Sequence, residues 1–258
     1  MVQNQIKNLP SVSEVLLKAS KYKSLNKRYL SYIIKNELKI FRGLAMKGDL
    51  KQSRSKIIQE VLSVIDHLST PSIQSVINGT GIVLHTGLGR APVDKTVAKE
   101  IADRLSGYIN LEFDLESGKR GDRQSHIEGL LSALTGAQSG MVVNNNAAAV
   151  FLALNELSEG KEVIIARGQQ VEIGGSFRIP DVIKKSGCII KEVGSTNRCH
   201  FRDYENAISK NTGLILWVHT SNYVIKGFTK EVGLNELVQL GKKKRIPVMA
   251  DLGCGEIV

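Results

Sequence analysis

The segment SGMVVNNNAAAVFLALNEL, residues 139–157, carries the clearest indication of the fold class. A short apolar run, residues 141–143, leads into three asparagines and then into an alanine-rich segment whose apolar residues recur at helical spacing. This pattern predicts a strand, a polar turn and a helix, in that order. Such a unit is typical of a parallel sheet, in which a helix carries the chain back to the start of the next strand.

The same alternation continues along the rest of the chain. Apolar runs predict further strands over residues 161–168, 188–194, 214–222 and 247–253. Between them, helical patterns cover residues 180–187, 203–213 and 234–246. Alternating strands and helices favour an α/β fold with a mostly parallel sheet and helices on its faces.

The first 72 residues show helical patterns only. Apolar residues recur at helical spacing over residues 29–41 and 57–65, and Ser11 with Glu14 predicts a capping box before an earlier helix. This region carries 13 Lys and Arg against 5 Asp and Glu, whereas the remainder carries 22 against 20. A basic helical domain, residues 1–72, is therefore predicted to precede an α/β domain, residues 73–258. Its charge indicates a nucleic-acid partner or, equally well, a solvated helical surface.

The composition is that of an ordinary globular protein. The chain has 258 residues, and its mean hydropathy is −0.08. No apolar run is long enough to cross a bilayer, and the N-terminus lacks the apolar stretch of a signal peptide, so we predict a cytoplasmic protein without membrane association. The cysteines, Cys188, Cys199 and Cys254, lack the spacing of a zinc site and are predicted to be reduced structural thiols.

Polar groups follow the predicted strands at the edge where open parallel sheets bind ligands. The first group lies where the helix of residues 139–157 begins: Asn144, Asn145, Asn146 and Ala147. Free N–H groups at a helix N-terminus suit a phosphate, although plain capping by Asn145 or Asn146 is the alternative.

Two more polar groups follow later strands. His219 and Asn222 suit the orientation of a ligand, although a hydrogen-bonded loop is an equal alternative. Asp251 could act as a base, bind a metal or pair with a protonated ring nitrogen, and a capped turn is its alternative. No His or Glu cluster surrounds Asp251, so we predict no metal site. A phosphate site and a strand-end aspartate on one sheet together suit pyridoxal phosphate.

Several ordered blocks carry a resemblance to a known family. They are LPSVSEVL, INGTGIVLHTGLGRAP, NLEFDLESGKRGDR, VVNNNAAAV, VEIGGSFRIPDV, VGSTNRCHFRDYE, VHTSNYVIKGFTKEV and IPVMADLGCG. Over nearly all of its length the sequence resembles selenocysteine synthase, the bacterial L-seryl-tRNA(Sec) selenium transferase. The resemblance implies a pyridoxal-phosphate-dependent transferase fold of the aspartate-aminotransferase type. It implies that residues 1–72 bind serine-charged tRNA(Sec), and that the chain assembles as a ring of dimers.

The resemblance also implies a reaction and its residues. Serine on tRNA(Sec) loses its β-hydroxyl, selenium from selenophosphate adds, and selenocysteinyl-tRNA(Sec) results. Arg90 is implied to bind selenophosphate, while Arg120 and Arg123 are weaker candidates whose alternative is ordinary loop charge. The implied cofactor residues are Asn144, Asn145, Asn146 and Ala147 at the phosphate, His219 and Asn222 along the ring, and Asp251 at its nitrogen.

One departure from the family pattern concerns the lysine that binds the cofactor. In the family it follows the aspartate strand in a GDK setting, whereas only seven residues follow Asp251 here and none is lysine. We therefore expect a C-terminally truncated member, with an incomplete cofactor domain and little or no turnover by itself. Two alternatives stay open: a related lyase acting on a small amino acid or amino sugar phosphate, and a tRNA-binding remnant without catalysis.

Overall fold

The computed structural model describes residues 2–22, 25–174 and 177–253. The chain divides into two compact units, Met1–Arg90 and Ala91–Val258. The first unit is helical, and the second contains a parallel sheet with helices. The predicted α/β class with a helical N-terminal region is confirmed, whereas the domain boundary at residue 72 stays a prediction. No helix among the described residues has the length and apolar character needed to cross a membrane.

Among the described residues of the first unit, the α-helices are α1 (Val2–Lys7), α2 (Val12–Lys18), α3 (Lys27–Lys47) and α4 (Arg54–Ser69). Their shared core is aliphatic, and its fully buried side chains include Ile34, Ile57 and Ile65. These residues lie on the predicted apolar faces of α3 and α4, so burial of those faces holds the helices together. The helical patterns of the sequence are thereby confirmed.

Only half of the predicted capping box forms at the start of α2. The hydroxyl of Ser11 accepts a hydrogen bond from the backbone N–H of Glu14 at 3.1 Å. The Glu14 carboxylate binds Arg54 instead, with 2.6 Å between Oε2 and Nη2, and this pairing lowers the pKa of Glu14. Two charge-assisted hydrogen bonds from a guanidinium outweigh one local bond to a backbone N–H. The predicted capping box was therefore confirmed for Ser11 and wrong for Glu14.

The second unit contains the remaining α-helices and the strands of the described chain. Its helices are α5 (Lys95–Leu105), α6 (Glu128–Thr135), α7 (Asn146–Ser158), α8 (Ile179–Lys185), α9 (Phe201–Ala207) and α10 (Leu234–Lys244). Its strands are β1 (Phe113–Asp114), β2 (Lys119–Arg120), β3 (Glu162–Ala166), β4 (Glu172–Ile173), β5 (Phe177–Arg178), β6 (Ile189–Val193), β7 (Thr212–Val218) and β8 (Val248–Asp251). The pairs β1–β2 and β4–β5 are short antiparallel hairpins.

The main sheet has the strand order β6-β3-β7-β8, and all its pairings are parallel. Alternate residues of β3 point to opposite faces, as expected for a strand. Val163 and Ile165 pack in one core with Leu154 of α7, whereas Ile164 packs in a second core with Leu237 of α10. Because all four strands run the same way, their carboxyl ends share one edge of the sheet. The four strands predicted over residues 161–253 are thereby confirmed.

The strand predicted at residues 141–143 does not form. The side-chain amide of Gln124 donates to the carbonyl of Val142 at 3.2 Å and accepts from its N–H at 3.1 Å. A side-chain amide offers the same donor and acceptor as a peptide group, so one glutamine takes the place of a neighbouring strand. The helix predicted to follow these residues is α7 and is confirmed.

Two of the three cysteines lie in the cores of the second unit. Cys188 and Cys199 are buried free thiols, in agreement with the predicted structural role. Burial raises the pKa of the Cys199 thiol to about 11, so this group stays protonated at neutral pH. Cys254 lies outside the described residues.

Gly241 lies in α10, where the helix packs on β8. A Cβ atom built at Gly241 meets Cγ2 of Val248 at 2.5 Å and the carbonyl oxygen of Ile246 at 2.6 Å. We expect Gly241→Ala to lower the free energy of unfolding by about 1–3 kcal/mol, because the backbone carbonyl has little room to shift. Urea unfolding measures this change.

The matched control is Gly43→Ala, in the interior of α3. No atom lies within 4 Å of a Cβ built at Gly43. The alanine should therefore raise the free energy of unfolding by about 0.5–1 kcal/mol through helix propensity alone. Equal effects of the two substitutions would contradict the packing of α10 on β8.

Candidate functional site

Asp251 lies at the carboxyl edge of the sheet, at the last position of β8. Its neighbour on β7 is Val218, and the N–H of His219 donates to the carbonyl of Asp251 at 2.9 Å. The side chain of Asp251 is buried, with 5% of the residue exposed. A carboxylate so deep in the protein needs hydrogen-bond donors, because burial without them is costly.

Two donors meet one oxygen of the Asp251 carboxylate. Oδ1 accepts from Nδ2 of Asn146 at 2.8 Å and from the N–H of Gly253 at 2.9 Å. Oδ2 has no hydrogen-bond partner among residues 2–22, 25–174 and 177–253. The structure thus joins two polar groups that the sequence predicted separately, and it leaves one carboxylate oxygen open to a further donor.

The N-terminus of α7 supplies the remaining donors at this edge. Asn145 caps the helix, since its Oδ1 accepts from the N–H of Ala148 at 2.8 Å and its carbonyl accepts from the N–H of Ala149 at 3.1 Å. The first-turn N–H groups of Asn146 and Ala147 have no partner within the helix, as geometry requires. Asn144 is exposed just before the cap.

The loop after β7 carries His219 and Asn222. The exposed imidazole of His219 stacks on the ring of Trp217, with the centroids 6.2 Å apart and the planes 29° apart. The side-chain amide of Asn222 donates to the carbonyl of Glu172 on β4 at 2.8 Å. The backbone of His219 therefore lies beside Asp251. The side chain of Asn222 links the loop after β7 to β4.

Sequence reasoning missed Gln169 at the same edge. This side chain is 4% exposed, and its Oε1 accepts from the N–H of Val218 at 3.3 Å. It thereby links the turn after β3 to the end of β7, one residue before His219. The signal in the sequence was the polar pair Gln169–Gln170 directly after an apolar strand.

Arg120 and Arg123 share one carboxylate. Nη2 of Arg120 lies 2.7 Å from Oε2 of Glu112, and Arg123 binds the other oxygen. Arg123 is the largest cause of the lowered pKa of Glu112. Two cations against one anion leave a net positive charge, and both arginine side chains are more than half exposed. Gln124, the next residue, pairs with Val142 shortly before α7.

Arg90 lies in the first unit, in the loop after the short 3-10 turn Thr86–Leu88. Its backbone has a positive φ of 65°, directly after Gly89 at 89°. The N–H of Arg90 donates to the carbonyl of His85 at 3.1 Å, which closes the loop. The side chain is exposed. Among the described residues, no group of three or more His, Cys, Asp or Glu side chains could hold a metal ion.

One face of α3 carries exposed cations, here called the α3 basic stripe. Its members are three or four residues apart and so lie along one line of the helix. They are Arg28, Tyr32, Lys35, Lys39, Arg42 and Met46, all exposed. The four cations form no ion pair with any residue that the structure describes. At the rise of an α-helix, the cations span about 21 Å.

Comparisons with known proteins identify relatives of this chain. A family model described as SelA, L-seryl-tRNA selenium transferase, matches residues 76–258. The L-seryl-tRNA(Sec) selenium transferase of Caldanaerobacter subterraneus subsp. tengcongensis is 48% identical over 261 residues, covering 100% of this chain and 57% of that protein. That of Geotalea daltonii is 45% identical over 261 residues, covering 99% and 56%. The chain thus spans a little over half the length of the curated relatives it matches.

One solved structure shares the fold of the chain. D-glucosaminate-6-phosphate ammonia-lyase matches with a TM-score of 0.53 at 22% identity, covering 64% of this chain and 45% of that one. At this identity the likeness concerns the fold alone. It agrees with the α/β class that the strand order of the sheet shows.

Proposed function

The chain belongs to the L-seryl-tRNA selenium transferase family, and from this premise we propose that it forms part of a pyridoxal-phosphate enzyme. That enzyme converts seryl-tRNA(Sec) to selenocysteinyl-tRNA(Sec) with selenophosphate in the cytoplasm. The observation that carries the proposal is the hydrogen bond between Asn146 and Asp251. It puts a helix N-terminus and a strand-end carboxylate at one edge of the sheet, where α/β folds bind ligands.

The described residues fit pyridoxal phosphate. The open Oδ2 of Asp251 suits a protonated pyridine nitrogen, and the first-turn N–H groups of Asn146 and Ala147 suit the phosphate. His219 would lie along the ring, and Asn144, Asn145 and Asn222 would hold the surrounding loops. When bound, the cofactor supplies an electron sink for the substrate's α-carbon. A carboxylate at Asp251 would favour the protonated form of a bound ring nitrogen, which such an electron sink requires.

The exposed arginines suit the anionic selenium donor. Arg120 and Arg123 offer planar guanidinium groups, which bind tetrahedral oxyanions through paired hydrogen bonds. Glu112 occupies both of them, so an incoming anion must displace this carboxylate. Arg90, exposed on its loop in the first unit, is proposed to bind selenophosphate on the strength of the family resemblance alone.

Competition with Glu112 can be tested with thiophosphate as the probe. We expect Glu112→Gln to tighten thiophosphate binding about 3–10-fold, because both guanidinium groups lose their anionic partner. Isothermal titration calorimetry at neutral pH measures the affinity. Glu128→Gln, which makes the same charge change at a carboxylate bound by Ser139, is the control. If the two substitutions act alike, the arginines do not form the anion site.

The α3 basic stripe is proposed as the tRNA surface of the first unit. Its cations are regularly spaced, exposed and unpaired within the described chain, and Tyr32 adds an aromatic face on which a base can stack. Phosphate contacts give affinity, and the shape of the folded tRNA gives specificity. The lyase alternative needs no such surface, and this favours the tRNA enzyme over it.

A homo-oligomer is proposed for the second unit. Val97, Ile101 and Leu105 lie on one face of α5 and are 48%, 49% and 64% exposed. An apolar helix face of this kind favours contact with another chain over contact with water. Analytical ultracentrifugation of the purified chain measures the assembly state.

The proposed function is tested by tRNA binding measured over a range of salt concentrations. Seryl-tRNA(Sec) is compared with seryl-tRNA(Ser), which carries the same amino acid on a different tRNA body. Tighter binding of seryl-tRNA(Sec) is expected, and equal binding would contradict the proposed substrate. A tRNA-binding remnant would show the tRNA selectivity without binding pyridoxamine phosphate. A lyase would bind pyridoxamine phosphate without the selectivity.

A further inference from the structure

Resting on the cofactor proposed above, we infer that Asn146 is a positioning residue for Asp251. It holds one oxygen of the carboxylate, so that the other, Oδ2, would be left for a bound ring nitrogen. The sequence alone placed Asn146 among the groups around the phosphate. Its side-chain amide reaches Oδ1 of Asp251 at 2.8 Å instead, across 105 residues of sequence.

The two donors on Oδ1 fix the orientation of the carboxylate. Asn146 approaches from α7, and the N–H of Gly253 approaches from the chain just after β8. Rotation of the carboxylate would break both hydrogen bonds inside a site where Asp251 is only 5% exposed. Breaking bonds to a buried charged group is costly, so one oxygen keeps both donors while the other has no partner within the part of the chain that the structure describes.

The position of Asn146 is itself fixed by the packing of α7. Asn145 caps the helix one residue earlier, with 2.8 Å between its Oδ1 and the N–H of Ala148. Further along α7, Val150 and Leu154 are buried against the sheet. The amide of Asn146 therefore sits on a rigid element rather than on a loop, and it needs little ordering when a ligand binds.

The amide group suits this position better than a charged group does. A lysine there would neutralise Asp251 and compete with the ring nitrogen for its charge. An acid there would share a proton with Asp251, because two carboxylates this close do not both ionise readily. A neutral donor satisfies Oδ1 and leaves the full negative charge of Asp251 available to the ring nitrogen.

The test compares two ligands that differ only at the ring nitrogen. One is pyridoxamine phosphate, which has no aldehyde to react with surface lysines. The other is its deaza analogue, in which a carbon replaces that nitrogen. Binding to the purified chain is followed by the fluorescence of Trp217, the single tryptophan, which stacks on His219. We expect Asn146→Ala to lower the affinity for pyridoxamine phosphate about tenfold. The affinity for the deaza analogue should fall by less than about twofold.

The matched control is Asn145→Ala, which removes an amide from the adjacent residue without touching Asp251. Because this substitution removes the cap of α7, it should lower the affinity for both ligands by equal factors. Equal weakening of both ligands by Asn146→Ala would overturn the inference, because it would place Asn146 at the phosphate or in a purely structural role. Binding of neither ligand to the unaltered chain would overturn the cofactor proposal, and the inference with it. A circular-dichroism melt of each variant confirms that the chain is folded.

Discussion

Replacing the four cations of the α3 basic stripe with glutamine is expected to weaken seryl-tRNA(Sec) binding about 100-fold at moderate salt. Arg28, Lys35, Lys39 and Arg42 are exposed on one face of α3, and they form no ion pair with a described residue. Each cation that binds a phosphate releases counterions from the nucleic acid. The slope of log K against log salt should therefore fall by about 0.7–0.9 for each phosphate that is no longer neutralised.

The substitutions should leave the first unit folded. The buried residues of α3, such as Ile34 and Phe41, point into the core, whereas the stripe faces solvent. Glutamine is also a good helix former, so it keeps the propensity of the helix. The expected loss of tRNA affinity then results from the removed surface charges and not from unfolding of the first unit.

A matched variant carries the same charge change elsewhere in the first unit. Lys7, Lys18, Lys51 and Lys56 are exposed and lie outside α3. Their joint replacement with glutamine lowers the net charge by the same amount. Filter binding between about 50 and 200 mM salt should show a small loss of affinity for seryl-tRNA(Sec) in this variant. The loss should be large in the variant of the α3 basic stripe. Equal losses of affinity in the two variants would mean that the overall charge, and not the α3 basic stripe, is responsible for tRNA binding.

Replacing Asp251 with asparagine should lower the affinity for pyridoxamine phosphate about 10–100-fold. Asparagine keeps an oxygen that accepts from Asn146 and from the N–H of Gly253, so the fold around β8 is preserved. It removes the negative charge that favours a protonated ring nitrogen. A hydrogen bond to a charged group contributes about 1.5–3 kcal/mol, which corresponds to this loss of affinity. Trp217 fluorescence measures the binding.

Two comparisons make the Asp251 experiment specific. Glu205→Gln removes one negative charge near the opposite edge of the sheet, where Glu205 faces Lys243 and Lys244, and should leave the affinity within about twofold. The deaza analogue should bind Asp251→Asn no more weakly than it binds the unaltered chain. A loss of the same size for both ligands would show that Asp251 supports the site only structurally.

Much of the fold was readable from the sequence because its signals are local, although α5, α6 and the two short hairpins were not predicted. Helical spacing of apolar residues marked α3 and α4, and apolar runs between helical patterns marked the four strands of the main sheet. Strand ends followed by polar residues marked Asp251 and the start of α7 as parts of a site. Residues within one turn or one strand are neighbours whatever the rest of the chain does.

Three failures of sequence reasoning concern long-range partners. Glu14 binds Arg54 and not its own helix cap, and Gln124 takes the place of a strand beside Val142. Gln169 was overlooked although it is buried between two strand ends. In each case a side chain met a group distant in sequence, which local spacing does not specify.

From the amino-acid sequence alone, the main helices of the first unit, the four strands of the main sheet and the polar residues at their ends could be predicted. The contact between Asn146 and Asp251 at 2.8 Å depends on the tertiary structure, as does the lack of a partner for Oδ2 among the residues that the structure describes. The physical reason is that strand order and helix packing set these distances. Both arise from burial of the whole core, to which many residues contribute and which no single stretch encodes.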